Sequence, residues 1–261
     1  MKKIAILIFL FLLSFKSFSQ FSEEVSKIQL YDMASDIKVF GQMIVKDKIY
    51  LINNLLKEDS SQEFDYAMSK IEENISNIDL AEDNPKIKAR LKAIKAFWYK
   101  ATENVTRKMD NLDFRKVSFD ANNWNRLTSD LLETMKVEYD LSNDDLKTYN
   151  DIQDFRVLIQ KITTSFLADN LKLSKSFIHE YQKNIKLAKD FVMKKSNLLL
   201  NNKTIPSELV LEVIVDWDFM RANLTSKTHR NPKTIFMLSV GMDYHLSQMK
   251  NKFLKKFIDK F

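Results

Sequence analysis

No cysteine occurs in this chain, and only two glycines and three prolines do. Without cysteine there is no disulfide framework, no thiol nucleophile and no lipid-modified N-terminal cysteine. Such a chain lives in an oxidising compartment as readily as in a reducing one. Two glycines cannot supply the phosphate-cradling loops of α/β nucleotide folds or the tight turns of β-sandwiches. Histidine is scarce as well. His179, His229 and His245 fall in separate segments, with no Glu-x-x-His pair for a di-iron bundle and no H-E-x-x-H. Carboxylate pairs such as Glu72–Glu73 and Asp144–Asp145 suit a solvated surface or a helix cap. No enzymatic activity is expected, and no catalytic residue, metal ligand or cofactor.

What is present is helical. Lysine, aspartate, asparagine, leucine and isoleucine are abundant, and apolar residues recur at helical spacing almost throughout, which makes the class all-α. The one long apolar run, Ile4 to Phe15, follows Lys2 and Lys3 and precedes the small residues Ser17 and Ser19. Basic region, apolar region and small-residue exit make a secretory signal peptide over 1–19, removed before Gln20. A retained membrane anchor would need roughly 20 apolar residues, and Lys16 interrupts the run. The mature chain is expected to be exported and soluble, periplasmic or extracellular. Removing 1–19 leaves 38 basic against 35 acidic residues, with the signs interspersed. That pattern is a solvated helix surface, not a nucleic-acid footprint. The C-terminal cluster Lys250, Lys252, Lys255, Lys256 and Lys260 reads as favourable charge at the end of a helix.

Apolar spacing predicts one long helix from Val25 through Leu55, carrying Ile28, Tyr31, Ile37, Phe40 and Ile44. "KEDSSQEF" breaks it, with Ser60 and Ser61 as candidate N-caps. Phe64, Met68, Ile71 and Ile75 carry a second helix. Asn84 and Pro85 open a third as N-cap and first helical residue, through Leu91, Ile94 and Trp98 toward Met109. "DNLDFRKVSFDANN" is the least periodic stretch and reads as a connection before a helix from Trp124 to Tyr139. Ser142 caps the next helix, with Asp144 and Asp145 in its first turn. Helices over 174–200 and 206–228 follow. "HRNPKT" separates them from a C-terminal helix bearing Ile235, Leu238, Met242, His245 and Met249.

Two stretches of the chain match each other. "YDMASDIKVFGQMI" (31–44) aligns with "YNDIQDFRVLIQKI" (149–162) at a constant offset of 118 residues. Tyr31 meets Tyr149, Asp36 meets Asp154, Gln42 meets Gln160, and Lys38 meets Arg156 with its charge kept. Leu91, Ile94 and Trp98 recur as Val210, Val213 and Trp217, and a proline (Pro85, Pro206) opens both helices. The expected architecture is two tandem antiparallel helical-bundle modules of long helices. They span 20–115 and 142–230, with a connecting segment and helix at 116–141 and a C-terminal helix at 231–261.

"ASDIKVFGQMIVK" (34–46) resembles the A-G-R-Q-R-M-L-S-Q-R-M-A-K signature. That signature belongs to the N-terminal (PilJ-type) sensor domain of type IV pili methyl-accepting chemotaxis transducers. Ala34, Gln42 and Lys46 match outright. Arg156, Val157, Leu158, Gln160, Lys161 and Ile162 follow R-M-L-S-Q-R-M in the second copy, and Trp98 and Trp217 match a tryptophan ending a later helix. Gly41 aligns with the family's serine, a small residue where helices approach closely. Ser35 and Asp36 depart from the family's Gly and Arg.

The resemblance implies an extracytoplasmic helical sensor. In related nitrate and nitrite sensors the arginine at the position of Lys38 and Arg156 holds an anion between two helices. The candidate ligand site is therefore Lys38 and Arg156 on one small anion or organic acid, with Gln42 and Gln160 as secondary donors. The alternative for these cations is pairing with acids such as Asp36 or Asp154. No second apolar run or output domain is recognisable, so a membrane or envelope protein is the expected partner. A structural or interaction role in an envelope assembly, with no small ligand, is the alternative function.

Overall fold

The computed structural model describes the backbone of residues 2–106, 114–141, 143–171, 175–226 and 231–258, and side chains over 27–102, 120–141, 146–171, 182–226, 231–255 and 258. The residues read as a signal peptide have their side chains outside that set. So do Ser142, His179, His229, Lys256 and Lys260, and the first-turn acids Asp144 and Asp145.

The protein is an all-α helical bundle, with eight helices among the described residues. They are α1 (Lys2–Ile52), α2 (Lys57–Ala81), α3 (Pro85–Thr106), α4 (Phe114–Glu138), α5 (Asn143–Asn170), α6 (Lys175–Leu200), α7 (Ser207–Thr225) and α8 (Pro232–Ile258). All three prolines stand at helix starts, where the missing N–H costs nothing. Asn84 caps α3 as its sequence predicts: its side-chain oxygen accepts from the Lys86 and Ile87 amides at 2.9 and 3.4 Å. Asn231 does the same for α8, accepting from the Lys233 amide at 3.0 Å.

Helix α1 spans Lys2–Ile52 where apolar spacing predicts a helix from Val25 through Leu55, and two later helix starts differ from the sequence expectation. Helix α2 begins at Lys57, ahead of Ser60 and Ser61. Its N-cap is Leu56, in the left-handed region with φ 44° and no side-chain cap bond. With no glycine available, Asn54 and Asp140 also take positive φ themselves. Ser60 is buried inside the helix, and its hydroxyl donates to the Leu55 carbonyl at 3.3 Å. The second difference is α4, which starts at Phe114 and runs through most of the stretch read as a connection.

Neighbouring helices form two rings joined at one seam. Helix α1 packs on α2 and α4, and α3 lies between those two; α5 packs on α6 and α8, with α7 between them. The seam is α1 against α5. One apolar cluster draws on α1 to α4 and the start of α5, and includes Ile37, Ile71, Leu91, Trp98, Trp124, Leu131 and Tyr149. Another draws on α5 to α8, with Phe155, Val213, Trp217, Met242 and Met249. Each buried Leu- or Ile-sized side chain contributes about 1.5–3 kcal/mol. A third, small cluster joins Ile49 and Tyr50 of α1, Leu167 and Ala168 of α5 and Phe236 of α8. Not every methionine is core: Met193 and Met237 are exposed.

Gly41 lies where α4 meets α1. A Cβ at this position would overlap the Trp124 indole. The indole N–H donates to the Ile37 carbonyl at 3.1 Å, and its ring packs on Trp98 at 5.4 Å between centroids. The glycine in mid-helix is therefore the seat of a tryptophan.

Candidate functional site

Helices α1 and α5 run side by side in the same direction. Tyr31 donates to Asn150 at 3.1 Å and, two turns on, Lys38 donates to Asp154 at 3.2 Å. Helix α8 lies antiparallel to α1. The Tyr50 hydroxyl donates to the Pro232 carbonyl at 2.8 Å, and Lys250 at the other end of α8 reaches Asp32.

A polar network fills the junction of these three helices. Arg156 forms a fork with Asp243, Nε to Oδ1 and Nη2 to Oδ2, both at 3.0 Å. Its Nη1 donates to Asp36 at 2.9 Å and to Gln153 at 3.0 Å. Lys250 Nζ lies 2.7 Å from Asp36 and 2.9 Å from Asp32. Tyr149 donates to Asp32 at 2.7 Å, and Gln153 donates to Asp36 at 3.0 Å. Helical spacing builds the set: Asp32 and Asp36 one turn apart, Tyr149, Gln153 and Arg156 on one stripe, Asp243 and Lys250 two turns apart.

The charges shape one another. Burial, reinforced by Asp36, pushes the Asp32 carboxyl above its ordinary range despite Lys250. At Asp36 burial pushes up as well, but Lys250 and Arg156 outweigh it and hold the carboxyl below the usual range. Burial alone would lower the Arg156 guanidinium; Asp243 and Asp36 more than reverse that.

A second buried group lies farther along α1. Lys46 is fully buried, 2.7 Å from Glu63 of α2, 3.5 Å from Asp47, and 4.5 Å above the Phe236 ring. Burial pushes the Asp47 carboxyl well above its ordinary range; Lys46 opposes this and Glu63 reinforces it.

Above the first network, α2 and α8 stand apart and leave a cavity of about 540 Å³. Asp32, Asp36, Arg156, Asp243 and Lys250 line it together with the aromatic rings of Phe40, Tyr66 and Tyr244. Among the described residues no group of three His, Asp or Glu side chains could hold a metal ion.

The four residues expected to grip an anion have different surroundings. Lys38 pairs with Asp154, with 16% and 69% of their side chains exposed. Gln42 is buried and donates to the Ala121 carbonyl at 3.2 Å. Arg156 is buried and holds two carboxylates. Gln160 is fully buried, and neither amide atom has a hydrogen-bond partner. None of the four bonds another. The acids named as the alternative, Asp36 and Asp154, are the ones that take the two cations.

Sequence reading missed Asp32, Asp243, Tyr149 and Gln153, and placed Lys250 among solvated end-of-helix lysines. It is buried. The signal for Asp32 and Asp36 was available: two acids one turn apart within an otherwise apolar face.

No family model, curated protein or solved structure matches the chain.

Proposed function

We propose that this chain is an exported, extracytoplasmic binding protein of the helical sensor type, whose ligand site is the cleft between α2 and α8. The basic–apolar–small pattern at the N-terminus supports export. The single observation that carries binding is the cleft itself. Its volume lies within the roughly 300–1,000 Å³ of small-molecule sites, and its floor is an ordered polar network among apolar and aromatic walls. A ligand there would touch α1 and α2 on one side and α5 and α8 on the other, so occupancy would bear on how the two rings of helices sit together.

We read α1 and α5 as two copies of one element, related by an approximate twofold along their common direction. The reciprocal contacts support this: Tyr31 with Asn150 against Tyr149 with Asp32, and Lys38 with Asp154 against Arg156 with Asp36. The copies have diverged at the cleft. At the offset of 118, Asp32, Asp243 and Lys250 correspond to Asn150, Asn125 and Leu132. The charged network belongs to one side alone. An oxyanion at Arg156 would have to replace Asp36 or Asp243, so the guanidinium serves to hold the cleft's carboxylates in place.

A thermal-shift screen of the purified chain against small oxyanions, organic acids, neutral polar compounds and amines tests the reading. A ligand that binds only the folded state raises the melting temperature. Tyr66→Ala and Tyr244→Ala, at exposed positions lining the cleft, should diminish any genuine shift. Silence across all classes would retire the cleft as a ligand site.

The second reading, an interaction protein of an envelope assembly, is favoured by α7. Leu211, Val215 and Phe219 repeat at i, i+4 and i+8 and are 51%, 49% and 61% exposed, while the helix buries Val213 and Trp217 on its other face. Such a stripe is the kind of surface that marks protein contacts. Sedimentation over a range of concentrations tests it: association abolished by Val215→Glu supports this role, and a monomer throughout removes self-assembly from consideration.

A further inference from the structure

Resting on the reading of the cleft as a ligand site, we infer that its ligand is a small organic cation, an alkylamine or quaternary ammonium, whose charge is received by Asp32 and whose alkyl groups lie against Tyr66 and Tyr244. The charges lining the cleft point this way. Asp32, Asp36 and Asp243 face Arg156 and Lys250, which leaves one carboxylate in excess. The remaining lining charges are engaged elsewhere: Glu63 with Lys46 at 2.7 Å, and Lys70 with Glu73 at 2.6 Å. An uncompensated charge in a largely desolvated network is unfavourable, and it is relieved by a proton or by a bound cation.

The network already demonstrates the geometry required. Lys250 brings an ammonium to 2.9 Å from Asp32 and 2.7 Å from Asp36, so this carboxylate pair is arranged to receive –NH3+. Asp32 keeps about a fifth of its side chain open; Oδ1 takes Tyr149 and Lys250 while Oδ2 has Lys250 alone, at 3.2 Å, so Oδ2 retains acceptor capacity.

The walls select an organic over an inorganic cation. Phe40 and Tyr66 meet edge to face at 5.7 Å, and Tyr66 and Tyr244, at 54% and 60% exposure, are among the most open aromatics in the described chain. Aromatic faces beside carboxylates attract ammonium groups that carry alkyl surface. The excess negative charge is not a general property of the helical frame, since the offset positions hold Asn150 and Asn125.

The test is isothermal titration of the full chain with choline, n-butylamine, 1-butanol and butyrate at fixed ionic strength. The expected result is binding of choline or butylamine, with no binding of butanol or butyrate. Asp32→Asn should weaken the cation by about tenfold or more, the scale of one charge-assisted contact. Asp154→Asn, at the position offset from Asp36 and in an exposed pair with Lys38, should leave it unchanged. Circular dichroism establishes that each variant is folded, and Tyr66→Ala, at an exposed site, gives an independent reading through weakened choline binding. Butyrate binding in the cleft, or cation binding indifferent to both Asp32→Asn and Tyr66→Ala, would overturn the inference. The first outcome leaves the cleft as a ligand site. Failure of all four probes rejects the cation, and the wider screen then decides the cleft.

Discussion

Tyr31 and Tyr149 face each other across the α1–α5 seam with ring centroids 6.0 Å apart, and each hydroxyl bonds the residue that follows the other tyrosine. Tyr31 donates to Asn150, and Tyr149 to Asp32. The geometry is reciprocal but the chemistry is not, because one acceptor is an amide and the other a carboxylate. Burial pushes the Tyr31 hydroxyl up to about 12 and raises the Tyr149 hydroxyl well above its ordinary value, with Asp32 and Asp36 adding to the second. Both tyrosines therefore act as proton-bearing donors across the physiological range.

The same imbalance makes the two cations unequal in stability. Removing Arg156 as Arg156→Ala strands Asp36 and Asp243 without their guanidinium, a loss of about 3–5 kcal/mol for a broken buried pair. Lys38→Ala breaks a pair whose acid is mostly in water and should cost about 0–1 kcal/mol. Urea denaturation of the two variants measures the difference. Equal costs would mean that the Arg156 network is not desolvated as described.

Gly41 sets helix propensity against packing. In an isolated helix, Gly41→Ala would stabilise by about 1 kcal/mol. Here the added methyl displaces the Trp124 indole, and overpacking of a filled core costs about 1–3 kcal/mol. Packing should win, so the urea midpoint falls while the slope holds, and tryptophan fluorescence shifts as the indole leaves its seat. A midpoint that rises would show that Trp124 does not occupy the site. In the background Trp124→Ala, the sign of the Gly41→Ala effect should reverse.

Much of the fold was legible because its signals are local. Asn84 with Pro85 marks a helix start by the chemistry of one turn, and Trp98 and Trp217 declare their burial through the apolar residues one and two turns before them. The start of α4 was not legible. Asn122 and Asn123 are poor helix formers, yet Gln42 bonds the Ala121 carbonyl and Trp124 is pinned to Ile37, so tertiary contacts override propensity. Lys250 was missed for the same reason on a larger scale. Its partners lie more than 200 residues away, and only the antiparallel course of α8 along α1 brings a lysine from a basic helix end onto Asp32 and Asp36. Arg156 was read as an anion ligand between two helices, but which groups would meet it depended on α8, whose position no periodicity encodes.

Asp47 carries a pH dependence whose sign follows from its surroundings. Burial raises its carboxyl well above the ordinary range, Lys46 opposes this, and Glu63 adds to it. The folded chain thus keeps a proton that the unfolded chain releases above about pH 4. Stability from this group is full below that value and is lost as the pH rises through the folded-state pKa, beyond which the penalty is constant. Asp47→Asn carries no such penalty, and Lys46 keeps Glu63 at 2.7 Å. The variant should therefore exceed the parent in melting temperature at pH 7, with the gap narrowing as the pH falls toward 4. Asp36, held below the ordinary range by Lys250 and Arg156 against its burial, works in the opposite direction, but it is common to both proteins and cancels in the difference. A gap that is constant from pH 4 to 7 would mean that Asp47 is ionised in the fold, and Lys46 would then be compensating two carboxylates at once.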